Sequence, residues 1–127
     1  MILTDIKTIV NEYFTSWNDS FISKNPDPIR YWMSRQFIGY WSYSGLVLPE
    51  QYGYQYDLER VLVQYGKAEK SFEAALIAER DGGNEYIVSG REKNLIDGVP
   101  HYAQCMFLWR KEEKGWKLLR EYIELEK

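Results

Sequence analysis

The sequence predicts an α+β domain, with helices laid over a curved antiparallel sheet, on three observations. An apolar stripe at helical spacing opens the chain: Leu3, Ile6, Ile9, Val10, Tyr13, Phe14, Trp17 and Phe21, with Lys7, Asn11, Glu12 and Asn18 opposite. Two turn signals, "DGGN" (81–84) and "IDGVP" (96–100), divide the second half into stretches of strand length. The close, "MFLWRKEEKGWKLLREYIELEK" (106–127), reads as strand, charged turn, strand. Helices first and adjacent strands after them give segregated layers.

The opening stripe predicts a helix of about five turns, with Thr4 as its cap and Asp5 at the positive end of its dipole. "KNPDPIRYWM" follows, with Asp27 as N-cap and Pro28 at the first position of a short second helix. "RQFIGYWSYSG" (35–45) is aromatic and ends in a Ser-Gly turn, so it reads as a strand. "PEQYGYQY" (49–56) reads as a Tyr-rich loop. Leu58, Val61, Leu62 and Tyr65 then fit a helix that starts at Asp57 and stops at Gly66. Residues 67–80 favour helix taken alone, but the hairpin signal at 81–84 makes them a strand pairing with 85–95. Strands at 101–111 and 116–125 complete one domain over residues 1–127.

Composition bounds the function. Net charge is −3 with lysines and glutamates interspersed, which argues against nucleic acid, where a concentrated basic face is needed. No stretch is apolar enough for a membrane span, and one cysteine permits no internal disulfide, so a reducing, cytoplasmic setting is expected. The 11 Tyr, 5 Trp and 5 Phe exceed what a small core can fill, so rings are expected to line a cavity or an interface.

"DGVPHYAQCMFLWRKEEKGWKLLREYIE" carries a resemblance. Its strand ending in Leu-Trp-Arg, charged turn and Gly-Trp-Lys-Leu-Leu resemble the last hairpin of NTF2-like proteins. Within them it is most similar to the SnoaL-like and DUF4440 branches, and more distantly to the association domain of calmodulin-dependent kinase II. The resemblance implies a cone-shaped sheet wrapped around the first helix, an interior pocket open at one end, and homodimerisation through the outer sheet face. It spans enzymes and pure binding modules, so it selects no single function. Isomerase and cyclase relatives carry a carboxylate on or just after the first strand, yet Phe37–Tyr43 holds no acid. SnoaL-like relatives often place His where Arg120 and Tyr122 stand.

Strict alternation through the last hairpin puts His101, Cys105, Phe107, Trp109, Leu118, Arg120 and Tyr122 on one face, with Glu121 on the other. The first face is the expected pocket wall, with Phe107 in its floor. Arg120 is its sharpest member, wanting an anion that is either a ligand's acid or an internal Glu73 or Glu92. Tyr13 and Trp17 lie one helical turn apart and would face it, with Trp41 and Tyr43 as the opposite wall. His101 reads as an exposed turn residue and Cys105 as a small core residue. The expectation is a small-molecule binder for an apolar or aromatic ligand that can carry an acidic group, with no metal and no cofactor. The alternatives are a homodimeric association module, or a lyase, isomerase or cyclase whose catalytic carboxylate the residues leave unidentified.

Overall fold

The computed structural model describes residues 3–126, with side chains from Asp5 onward, so the expected Thr4 cap lies outside the described residues. Helix α1 (Leu3–Ser23) buries Ile6, Val10, Tyr13, Phe14, Trp17 and Phe21, the stripe that its spacing requires. It ends on Lys24 at φ 63°, whose N–H returns to Ser20 O (2.7 Å). The Lys24 ammonium meanwhile donates to Leu62 O (3.1 Å) and Tyr65 O (2.9 Å) and ties down the end of helix α3 (Leu58–Gln64). Asp57 caps α3 as its sequence implies, accepting from Arg60 N at 3.0 Å. Helix α2 (Asp27–Arg30) starts differently. Pro26, not Asp27, is its N-cap and makes no side-chain cap bond; Asn25 Oδ1 accepts the Asp27 N–H.

Six strands form one sheet: β1 (Met33–Tyr43), β2 (Glu50–Gly53), β3 (Ala68–Arg80), β4 (Glu85–Ile96), β5 (Val99–Glu112) and β6 (Gly115–Leu125). Their spatial order is β2-β1-β6-β5-β4-β3, so the chain leaves β1, crosses the molecule and returns with β6 beside it. That return makes β1–β6 parallel within an otherwise antiparallel sheet. Part of the expected 49–56 loop is strand β2, which pairs Ile38–Trp41 with Glu50–Gly53 along the sheet edge. Residues 68–80 are a strand despite their helical propensity, paired along their length with β4. Tertiary pairing overrides local preference here.

Bulges curl this sheet into a cone around α1. One lies between Ala74 and Leu76, opposite Gly90, where a Cβ would stand 2.1 Å from Glu73 O; only glycine lets the strands approach so closely. Another falls in β6 at Leu119. Trp109 pairs with Leu118, but Leu108 pairs with Arg120 and Phe107 with Glu121. Leu118 and Leu119 are both buried, and beyond them the faces of β6 are exchanged relative to strict alternation.

Candidate functional site

That exchange decides which chemistry enters the cone. Arg120 and Tyr122, expected inside with Phe107, lie on the outer face. Arg120 is exposed and donates to Gln36 O (3.0 Å) and Leu119 O (2.8 Å), with neither Glu73 nor Glu92 as partner. Tyr122 donates to Glu124 Oε1 at 2.8 Å. Glu121, expected outside, points inward and is only 7% exposed.

Tyr52 Oη donates to Glu121 Oε2 at 2.5 Å, and the Tyr13 and Tyr56 phenols lie close enough to interact with its charge. Burial drives the Glu121 carboxyl up to about 7. The Tyr52 hydrogen bond, the Lys70 charge and the nearby Tyr13 hydroxyl pull against that rise, and the Glu92 charge adds to it. A carboxyl held there can give or take a proton near neutral pH. The phenols respond in the opposite sense to any demand for ionisation. Burial first, and Glu121 second, push Tyr13, Tyr52 and Tyr56 well above the usual phenol range, so all three stay donors.

Glu92 is the second buried acid, at 3% exposure. Lys70 Nζ lies 2.7 Å from its Oε1, Asn94 Nδ2 donates to the same oxygen at 2.8 Å, and the Cys105 thiol approaches Oε2 at 3.8 Å. Burial alone would lower Lys70, but the charge and hydrogen bond of Glu92 outweigh it and hold the ammonium above its usual value. Lys70 also sits 4.8 Å from the Trp17 ring centroid. Burial and the neighbouring Glu92 push the Cys105 thiol far up, which leaves it inert. Among the described residues no three His, Cys, Asp or Glu side chains gather as a metal site requires.

The other expected wall residues divide. Tyr13, Trp17 and Phe107 are buried in one cluster, with Tyr13 edge-on to Trp109 at 5.3 Å and to Phe107 at 6.3 Å. The buried Trp109 indole N–H has no hydrogen-bond partner. Trp41 and Tyr43 share the inward side of β1 with Gly39 and meet edge-on at 5.6 Å. They lie further along it, beside Ile123 and Leu125, where the apolar surface is only half covered. His101 is exposed at the start of β5. The site is thus Glu121 with Tyr13, Tyr52 and Tyr56, bordered by Phe37, Trp41 and Ile123.

Two of the surface hollows among the described residues lie along β3. One of about 370 Å³ lies over Ser71, Phe72, Glu73, Arg91, Lys93 and Tyr102. The other, of about 280 Å³, runs between α1 and β3 past Asn18, Lys70 and Phe72. Neither reaches Glu121, whose surroundings are packed with rings. In the interior, Tyr52 and Tyr56 pack against each other at 4.9 Å beside Glu121.

Sequence alternation missed Glu121 because it was carried straight through "GWKLLREYIE" from Trp116. The doublet Leu118-Leu119 was the available signal: two large apolar neighbours in a strand with one buried face imply a bulge.

No protein-family model matches the sequence, and no curated protein sequence does. Solved structures do match in shape. A ketosteroid isomerase-like protein from Erwinia carotovora atroseptica superposes with TM-score 0.66 at 17% identity, covering 98% of this chain and 96% of its own. An NTF2-like protein of unknown function from Shewanella oneidensis reaches 0.71 at 14% identity, over 98% and 99% of the two chains. A calcium/calmodulin-dependent protein kinase II association-domain candidate from Xanthomonas campestris reaches 0.66 at 13% identity, over 92% and 85%. At such identities the likeness is one of fold. The chain has the NTF2-like fold, a helix-filled cone of curved sheet.

Proposed function

We propose that the chain, as one domain over residues 1–127, binds a small planar molecule inside the cone with Glu121 as the polar anchor. The carrying observation is a carboxyl buried among rings with only hydroxyls as its nearest partners. Burying such a group is costly, and among the described residues no cation lies within ion-pair distance to offset that cost. With Arg120 on the outer face, the interior suits a neutral ligand that donates a hydrogen bond better than an acidic one. Half-covered Trp41 and Ile123 offer the apolar contact. The resemblance of the last hairpin to SnoaL-like and DUF4440 proteins supports this reading, and the single free cysteine fits a cytoplasmic setting.

The test is titration with 2-naphthol at pH 8, followed by tryptophan fluorescence, on wild type and Glu121→Gln. Loss of a charge-assisted hydrogen bond predicts about tenfold weaker binding in the variant. Equal affinities would remove Glu121 from the site. The poise of Glu121 near neutrality also favours a second reading, an isomerase- or lyase-like activity. There Glu121 takes a proton next to a carbonyl while Tyr13 and Tyr56 donate to the resulting oxyanion.

A homodimer through the outer face is compatible with either reading. Leu76, Ser89, Met106, Tyr122 and Tyr40 follow one another across five paired strands. Leu76 and Met106 in that row are each about half exposed. Sedimentation of Met106→Lys as a monomer, beside a dimeric wild type, would support that assembly; a monomeric wild type would end it.

A further inference from the structure

We propose that residues 44–57 form a movable strap across the cone, and that the Tyr52 phenol is a built-in occupant of the Glu121 site, displaced by an aromatic ligand carrying a hydroxyl. This rests on the reading of Glu121 as a ligand-binding group and adds to it a ligand class and a route of entry.

Tyr52 is seated as a ligand would be. Its hydroxyl donates to Glu121, and its ring lies 5.9 Å from Phe37 and 4.9 Å from Tyr56. The seat is shaped for a ring: at Gly39, directly beneath it, any Cβ would stand 2.5 Å from the Tyr52 ring. An incoming phenol or enol could repeat each of these contacts, one hydroxyl for another on Glu121 and one ring for another on Phe37. Exchange then leaves no buried polar group unpaired.

The segment that carries Tyr52 is lightly held. Strand β2 is four residues long, lies at the edge of the sheet and pairs with β1 alone. The loop before it exposes Val47 (94%) and Leu48 (76%), so it contributes little to the core. Tyr52, Tyr54 and Tyr56 pack against the core, and the remaining polar attachment is largely one side chain. Arg30 of α2 donates to Tyr54 O and, at 3.0 Å, to Tyr56 O, and its guanidinium lies 5.7 Å from the Tyr54 ring. Arg35 approaches the same ring at 5.4 Å. Arg30 touches the strap without touching Glu121, so it is a latch whose removal loosens the strap and leaves the carboxyl in place. Neither of these surface hollows reaches Glu121, whereas Tyr52 of the strap lies directly on it, so movement of the strap would uncover the carboxyl.

The experiment combines amide hydrogen exchange with 2-naphthol binding, on wild type, Arg30→Ala and Tyr52→Phe. Saturating 2-naphthol is expected to speed exchange across 50–57 in wild type, while 103–109 in β5 stays protected. Arg30→Ala is expected to speed exchange of the same segment about tenfold without ligand, with 103–109 unchanged as evidence of an intact fold. Tyr52→Phe is expected to tighten 2-naphthol binding about fivefold, because the rival hydroxyl is gone and the free seat is more populated. If Tyr52→Phe weakens binding instead, Tyr52 is a ligand contact and not an occupant, and the proposal is overturned. Glu121-dependent binding that leaves exchange over 50–57 unchanged would overturn displacement while sparing the Glu121 site. No binding of 2-naphthol to wild type or Arg30→Ala would take down the Glu121 reading, and the displacement with it.

Discussion

Two carboxylates are buried a short way apart inside one cone, and their surroundings differ in kind. Glu92 meets a cation, Lys70, at 2.7 Å, with an amide on the same oxygen. Glu121 meets phenols. A buried acid matched by a base is a closed electrostatic unit that holds β3 to β4, and its removal is a matter of stability. A buried acid given only hydroxyls keeps its proton into the neutral range, which makes it a candidate functional group. The fold uses one to build and leaves the other available.

Breaking the closed unit has the largest expected effect. Lys70→Met would leave Glu92 buried without its cation and cost about 3–5 kcal/mol in urea unfolding at pH 7. A cost below about 1 kcal/mol would mean that the pair behaves as a surface one.

Glu121→Gln should act in the opposite direction, and only above mildly acid pH. The folded-state value of about 7 lies above the usual 4.5. Below 4.5 both folded and unfolded chains carry the proton, and the full stability is present. Between 4.5 and 7 the unfolded chain ionises first, so stability falls as pH rises; above 7 the loss is complete. Wild type should therefore lose up to about 3 kcal/mol from pH 4.5 to pH 8 through this one group, and Glu121→Gln should lack that slope. Parallel pH–stability curves for the two proteins would make Glu121 an ordinary acid.

Tyr52→Phe sharpens the comparison with a smaller effect. It removes one hydrogen bond, worth about 1 kcal/mol, and should raise the Glu121 midpoint further, because that bond favours the carboxylate. A lowered midpoint would reverse the assignment of donor and acceptor. Arg120→Ala should do least: within about 0.5 kcal/mol of wild type, with 2-naphthol binding unchanged, since the guanidinium meets only carbonyls on the outer face.

The sequence made the frame legible wherever period and turn chemistry agree. The α1 stripe, the Asp57 cap, the hairpins at 81–84 and 97–98 and the last hairpin all rest on local signals, and the structure has each of them. What escaped was non-local. Strand β2 exists because an edge of β1 was free and Gly39 left room for Tyr52, neither of which "EQYG" announces. The Lys70–Glu92 pair depends on the register of β3 against β4, set across the bulge beyond Ala74. The site itself turned on a single residue: Leu119 bulges, both leucines bury, and the faces of β6 trade places, which sends Arg120 out and brings Glu121 in. Period-two reasoning is only as good as its phase, and one extra residue resets it.

The most direct test is a carbon-13 NMR titration of the side-chain carboxyls, with the Glu121 resonance identified by its disappearance in Glu121→Gln. A midpoint near 7 is the expected result. A midpoint near 4.5, the ordinary carboxyl value, would place this side chain in water and leave the cone without a polar anchor.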